Sequence, residues 1–284
     1  RLSPIPRKVR LCGLTYPEVS RHEVGRALEL LSGMQFHGKE QIIAKAPRAE
    51  LLRRLELVNQ VGLVLRHSPA FAYLRHLVAD PEAGRVMSVV FRDDQYIPVQ
   101  GMYASTWRGD RERAGAGTLL EHSIHDVDIL EWVLGPIASV SARAANFHGI
   151  DGIEDTVGTV FDLAAGGLGV HTTVWHDVVE RPSLRRVEVL CERRHIVLEN
   201  DWDGPLTWTT TGSEERVLAG SELLDACRAE GLRVGDPDGR FVRAVATGEP
   251  AWPTLRDAVR PHRVVDAIYR SAAEGGVRQE VTGS

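Results

Sequence analysis

The sequence predicts a mixed fold in two parts. A reduced α/β segment over residues 1–84 is followed by an α+β domain over residues 85–284 with an open, mainly antiparallel sheet. In the first part, short apolar runs alternate with segments of helical periodicity. In the second part, β-branched segments follow one another with turn residues between them and few helices. The change near residue 85 therefore predicts a domain boundary.

In the first part, apolar residues at helical spacing predict helices at 23–31, 49–58 and 69–79. Gly33 follows the first of these helices as a stop signal. Short apolar runs predict strands at 8–14, 41–44 and 61–65. The last run, VGLVL, is apolar throughout, which is typical of a strand that is buried on both faces.

In the second part, the pattern is that of successive short strands. They are predicted at 86–91, 137–146, 156–163, 168–175, 186–191, 195–199 and 206–210. Helical periodicity predicts one helix between the first two strands, at 115–132, and two closing helices at 221–230 and 255–273.

Composition indicates a soluble protein. The 284 residues are 43% hydrophobic and 26% charged, and the net charge of −5 favours neither nucleic acid nor an anionic membrane as partner. Cys12, Cys191 and Cys227 are too widely spaced for a zinc motif or a disulfide framework. No apolar run reaches the ~20 residues of a membrane span. We therefore expect a cytoplasmic protein.

The segment GAGTLLEHSIHDVDILEW at 115–132 carries most of the chemistry. On one continuous helix, Glu121, His125 and Asp128 would share a face, because they are four and three residues apart. A carboxylate one turn from an imidazole can orient it for proton transfer. The alternative is a solvated or salt-bridged helix face. His122 and Asp126 are expected to support this face or to lie on the surface.

A metal site and a hydrolase site are weaker alternatives. His122 and His125 are three residues apart beside Glu121, but the sequence has no HExxH motif and no evident third ligand. It also has no GxSxG motif. We therefore expect neither a metal centre nor a serine nucleophile.

Several motifs occur in the order found in the Gfo/Idh/MocA (glucose–fructose oxidoreductase/inositol dehydrogenase) family, and the chain resembles that family from about residue 38 to residue 271. The motifs are GK at 38–39 with IIAKAP at 42–47, VGLVLRHSP at 61–69, LRHLVADPEAGRVMS at 74–88, the segment 115–132, and DGRF, PT, DA and AIYRS between 238 and 271. The resemblance implies a Rossmann-like N-terminal domain. It also implies a C-terminal sheet domain that binds substrate and mediates homo-oligomer formation.

The resemblance further implies an NAD(P)-dependent oxidoreductase that acts on a sugar, cyclitol or related polyol hydroxyl. His125 would be the acid/base, Glu121 would replace the family's Asp, and Lys45 would act beside the nicotinamide. Ser123 stands where the family has Gly. The implied substrate-binding residues are Trp107, Arg108, Asp94, Tyr96 and His176, and the implied cofactor-binding residues are Lys45, Arg66 and His67. For each of these, the alternative is ordinary packing, capping or ion pairing.

The N-terminal region departs from the family pattern. Only 37 residues precede Gly38, and the first two glycines of this region, Gly13 and Gly25, lie twelve positions apart with Pro17 between them. This is not the GxGxxG of a dinucleotide site. Two alternatives to an active enzyme follow. The chain is a catalytically impaired or non-enzymatic relative that keeps the sheet for ligand binding or oligomerisation, or it is part of a longer gene product.

Overall fold

The computed structural model describes residues 59–101 and 103–282, together with 10–11, 14–15, 33–35, 41, 45 and 49. The helix predicted at 23–31 lies outside these residues, as does most of the one predicted at 49–58. Strands β1 (Arg10–Leu11) and β2 (Leu14–Thr15) pair antiparallel and overlap the single strand predicted at 8–14 at residues 10, 11 and 14. Gln41 has helical conformation, so the strand predicted to begin there is wrong at that residue.

The remaining strands of the described chain are β3 (Val86–Tyr96), β4 (Ile137–Ala145), β5 (Thr156–Leu163), β6 (Leu168–His176), β7 (Leu184–Cys191), β8 (Arg194–Leu198), β9 (Leu206–Thr210), β10 (Arg216–Leu218) and β11 (Gln279–Glu280). Its helices are α1 (Pro69–Ala79), α2 (Arg111–Ala114), α3 (Thr118–Glu121), α4 (Ile124–Leu134), α5 (Gly220–Ala229), α6 (Pro237–Thr247) and α7 (Leu255–Ala273). None of the helices in the described residues is long and apolar enough to cross a membrane.

The chain divides into two compact units. One comprises residues 1–62 with 237–257, and the other comprises residues 63–236 with 258–284. In the described part of the first unit, Val61 N donates to Pro253 O (2.8 Å) and Asn59 Oδ1 accepts from Leu255 N (3.0 Å). The division into domains at residue 84, predicted from the sequence, stays a prediction.

The second unit is built on a nine-stranded sheet, counted over the described residues, in the order β10-β9-β8-β7-β3-β6-β5-β4-β11. The central pair β3–β6 is parallel and the other neighbours are antiparallel. The predicted open, mainly antiparallel sheet is therefore confirmed.

The two faces of this sheet differ in burial. Phe91, Phe161 and Ile196 point to the face that is covered by helices and are at most 1% exposed. Their neighbours in sequence point the other way, because side chains alternate along a strand. On this open face, Val90 and Val160 are 44% and 49% exposed. One face thus carries the core and the other is open.

The predicted strand at 61–65 is wrong. Val64–His67 form a 3-10 turn in which Ser68 N donates to Leu65 O (3.0 Å). Leu63 and Leu65 are buried while Val64 is 39% exposed, so the run is not buried on both faces. The two leucines are thus buried from a turn and not from a strand. The Ser68 side chain then caps helix α1. Short apolar runs do not distinguish a strand from a turn.

Candidate active site

The helix predicted at 115–132 is interrupted. Helix α3 ends at Glu121 and helix α4 begins at Ile124. Between them, Ser123 N donates to Thr118 O (2.8 Å), five residues back, which is the wide turn of a π-bulge. The Ser123 hydroxyl is fully buried and bonds to Asp93 and Thr173 of the sheet (3.1 and 2.5 Å). These two hydrogen bonds fix the segment between α3 and α4 to the sheet.

The N-terminus of α3 is anchored by a close backbone approach. A Cβ on Gly117 would lie 1.8 Å from Glu154 O, so only glycine fits there. The Glu154 carboxylate accepts from Gly117 N and Leu119 N (2.8 and 3.0 Å), and Tyr269 donates to the same carboxylate (2.8 Å). The glycines at the start of the motif therefore place α3 on the sheet.

His125 lies in the first turn of α4 and is half-buried. Its Nδ1 is buried and has no hydrogen-bond partner among the residues that the structure describes. Burial, followed by the positive charge of Arg185, holds the pKa of His125 below its ordinary value. The imidazole is therefore neutral at pH 7. A neutral imidazole can accept a proton from a hydroxyl group.

The helix is interrupted between Glu121 and His125, whereas His125 and Asp128 both lie on α4, so the predicted shared face of the three stays a prediction. Glu121 Oε1 accepts from Arg108 Nε (2.5 Å), and Asp128 takes two hydrogen bonds from Arg66 (2.9 and 2.7 Å). Neither carboxylate is hydrogen-bonded to His125 in the described structure. The proposed roles of Glu121 and His125 stay predictions.

Trp107 and Arg108 lie together in a 3-10 turn, Thr106–Gly109. The guanidinium carbon of Arg108 is 4.8 Å from the Trp107 ring centroid, and Arg108 Nε bonds to Glu121. Trp107 is 36% exposed. The structure thus brings three predicted site residues together at the end of α3, where an indole face and guanidinium N–H groups can contact a ligand.

Asp94, Tyr96 and His176 form a separate group, in which Tyr96 is the cross-strand partner of His176. Asp94 accepts two hydrogen bonds from Arg181 (2.5 and 2.8 Å), and its carboxylate lies 3.4 Å from His176 Nε2. The side chain of Asp93 contacts His122 on the helix-covered face, so Asp94 points to the opposite face of β3. Their role in substrate binding stays a prediction, and the structure does not bring Asp94 together with His125.

The residues predicted to bind the cofactor differ in burial, in their partners and in the compact unit to which they belong. Arg66 is held by Asp128, and His67 is 1% exposed with its carbonyl accepting from Gly235 N (2.7 Å). Lys45 has helical conformation and an exposed side chain in the other compact unit. Their contact with a cofactor stays a prediction.

Sequence reasoning singled out His122 and Asp126 but missed their partners Arg185 and His171. We define the Arg185 cluster as Arg185, Asp93, Asp126, His122 and His171. Arg185 Nε donates to Asp126 (2.7 Å), and His171 Nε2 lies 3.1 Å from the same carboxylate. His122 Nε2 lies 3.0 Å from both Asp93 and Arg185.

One signal in the sequence could have revealed this cluster. Arg185 lies two and four residues before Val187 and Val189, which are buried. By strand alternation it points to the same covered face, so it must have a buried partner there. Arg186 has the opposite orientation and pairs with Glu199 (3.0 Å).

The pKa values of Asp93 and Asp126 shift in opposite directions because the charges next to them differ. Burial, and then the nearby charge of Asp126, raise the pKa of Asp93. Burial also acts to raise the pKa of Asp126, but the charge of Arg185 and the hydrogen bond from His171 outweigh it and lower this pKa. Asp126 is therefore the ionised partner of Arg185.

Comparison with known proteins gives three findings. The family model of the GFO/IDH/MocA C-terminal domain matches residues 71–197. A 1,5-anhydro-D-fructose reductase from Ensifer adhaerens is 32% identical over 97 residues, which is 33% of this chain and 28% of that protein. The match thus spans less than a third of the relative's length.

Solved structures give the third finding. Levoglucosan dehydrogenase in complex with NADH has a TM-score of 0.67 at 19% identity, over 84% of this chain and 71% of that one. The WlbA dehydrogenase from Bordetella pertussis, in complex with NADH and UDP-GlcNAcA, has a TM-score of 0.65 at 17% identity, over 84% of this chain and 68% of that one. At these identities the likeness shows the fold, and it confirms the predicted fold class.

Proposed function

We propose, on the premise that residues 71–197 belong to the Gfo/Idh/MocA family, that this chain is an NAD(P)-dependent oxidoreductase acting on a sugar, cyclitol or related polyol hydroxyl. The observation that carries the proposal is the environment of the His125 side chain. Its imidazole is neutral, half-buried and not engaged in a hydrogen bond within the described residues. An acid/base for alcohol oxidation needs this combination of access and protonation state.

The described residues fit the reacting end of a nicotinamide cofactor through His125. When bound, the cofactor supplies hydride transfer to or from the substrate carbon. Within the second unit, we assign its contacts to Arg66 and His67. Lys45 lies in the other unit, and its role beside the nicotinamide stays a prediction from the resemblance. His125 accepts the proton of the substrate hydroxyl during oxidation and returns it during reduction. Its buried Nδ1 makes Nε2 the atom that exchanges this proton.

The substrate side is assigned to the group at the end of α3. Trp107 offers an apolar face to a sugar ring, and the terminal nitrogens of Arg108 can donate to substrate oxygens while its Nε stays on Glu121. The names of the similar proteins support a sugar as substrate, since they include an anhydrofructose reductase and a levoglucosan dehydrogenase. We infer that Glu121 acts by orienting Arg108.

The proposal is tested by cofactor binding and turnover. We expect NADH or NADPH fluorescence to report saturable binding, and we expect cofactor-dependent turnover with at least one member of a panel of anhydrosugars, aldoses and inositols. A chain that binds neither cofactor up to millimolar concentration contradicts the proposal. That result favours a non-enzymatic relative that uses its sheet for ligand binding or oligomerisation.

We further propose that the chain forms a homo-oligomer through the open face of its sheet. Val160, Val170 and Val90 are cross-strand neighbours in one row on this face. Exposed Leu168 and Leu190 extend the apolar surface (53% and 43%). Exposed apolar area of this kind is typical of a subunit interface.

If the oligomer forms through this face, one charge introduced on the face is expected to dissociate it. In Val160→Asp, a carboxylate would be buried without a partner at the interface, so we expect the molar mass from light scattering to fall to that of a monomer. The control is Val277→Asp, because Val277 is 55% exposed in the segment after α7. An unchanged mass for Val160→Asp, or a monomeric wild-type chain, would refute this interface.

A further inference from the structure

Arg185 contacts residues on both sides of His125 in the chain. Its Nε donates to Asp126 (2.7 Å), the residue after His125, and its Nη2 lies 3.0 Å from Nε2 of His122, three residues before His125. Its Nη1 donates to Asp201 (2.8 Å), in the segment that follows β8. The Arg185 side chain is 11% exposed. One guanidinium thus ties the first turn of α4 to two other parts of the unit.

The contacts bear directly on the helix interruption. His122 is the C-cap residue of α3, and Asp126 lies in the first turn of α4. Backbone hydrogen bonds at this point are irregular: Ser123 N donates five residues back to Thr118 O (2.8 Å), and His125 N donates three residues back to His122 O (3.4 Å). Within the described residues, no hydrogen bond to Nδ1 fixes the orientation of the His125 ring. Side-chain contacts from the sheet to His122 and Asp126 can fix the backbone from which this ring projects.

We propose that Arg185 is a positioning residue for His125, which it orients by holding His122 and Asp126 against strand β7. This inference rests on the proposed function, because it assigns a catalytic purpose to the orientation of His125. Each guanidinium nitrogen of Arg185 already faces Asp126, Asp201 or His122, so the role assigned to it is positioning and not contact with substrate.

The charges around His125 come from each element packed there. Arg185 on β7 and His122 at the interruption act to lower the pKa of His125, whereas Asp126 on α4 and Glu121 on α3 act to raise it. Around Arg185 itself lie Asp93, Asp126 and Asp201, with His171 on the far side of Asp126. Removing Arg185 deletes a positive charge and leaves the acids in place, so the imidazolium form of His125 is favoured.

The neighbouring arginine on the same strand supplies a matched control. Arg186 has the same chemistry and is also ion-paired, to Glu199 (3.0 Å) and Glu188 (3.4 Å), but it points to the open face. A general effect of losing an arginine from β7 would be equal at both positions. An effect through His122 and Asp126 occurs only at Arg185.

The experiment is an NMR titration of the full chain with labelled histidine rings and without cofactor or substrate. The His125 resonance is identified by its loss in His125→Gln. We expect Arg185→Met to raise the pKa of His125 and Arg186→Met to leave it at the wild-type value. A folded Arg185→Met protein with the wild-type His125 pKa would overturn the proposal. If that variant does not fold, Arg185→Lys decides, because lysine keeps the charge but cannot make the three-way contact.

For Arg185→Lys we expect a His125 resonance that is shifted or broadened relative to wild type, since the ring is no longer held in one orientation. A resonance identical to wild type overturns the proposal. The titration is independent of turnover. A chain without oxidoreductase activity whose His125 still responds to Arg185 would refute the proposed function and leave the Arg185–His125 link intact.

Discussion

His125→Ala is expected to lower kcat by roughly 10²–10⁴-fold while leaving the Kd for NADH or NADPH nearly unchanged. The substitution removes the group that accepts the substrate proton, and the residues assigned to the cofactor are elsewhere in the chain. The measurement is steady-state turnover together with a fluorescence titration of the cofactor. The two readouts separate loss of chemistry from loss of binding.

The control is His195→Ala, because His195 is a surface histidine on β8 that is paired with Glu188 (2.7 Å). We expect no change in kcat from it, and equal losses in both variants would argue against the role of His125. The pH profile adds a second check. Because burial and Arg185 lower the pKa of His125, the acid limb of kcat/KM for oxidation should lie below the ordinary histidine value of about 6.5. Activity is retained above this limb and lost as the pH falls through it.

The strands with one buried face were predictable from the sequence because alternation and turn residues define them locally. Thr156–Leu163 and Leu206–Thr210 have the predicted bounds. β3 extends to Tyr96, five residues beyond its predicted end, through the polar run RDDQY. Asp93 is tolerated inside the sheet because His122 and Ser123 contact it (3.0 and 3.1 Å). These partners lie about thirty residues later, so local pattern could not indicate them.

The site was predictable only along one stretch of chain. The motif at 115–132 predicted His125, and the family resemblance predicted Trp107 and Arg108, whose roles stay predictions. The partners of its carboxylates could not be read from helical spacing, because the interruption at Ser123 depends on contacts with Asp93 and Thr173 of the sheet. Arg185 follows Asp126 by 59 positions, and their meeting depends on strand register. Sequence spacing therefore does not predict contacts between residues that only the fold brings together.

Asp126→Ala is expected to destabilise the protein by about 3 kcal/mol, measured as the free energy of unfolding in urea. Removing one partner of a buried ion pair leaves the other charge buried, which costs about 3–5 kcal/mol. Arg185 keeps Asp201 as a partner (2.8 Å), so the lower end of this range is expected. Asp126 is 0% exposed, and its loss also removes the hydrogen-bond partner of His171.

The matched control is Asp225→Ala. Asp225 also pairs with an arginine, Arg228 (2.9 Å), but both side chains are at least 66% exposed. We expect a change of at most about 0.5 kcal/mol there, since exposed pairs contribute little. A further variant identifies the cause. If the cost of Asp126→Ala is that of an unpaired buried Arg185, then adding Arg185→Met must destabilise the protein by less than the sum of the two single changes. Strict additivity would show that the two residues contribute independently, and the electrostatic account of the cluster would then be wrong.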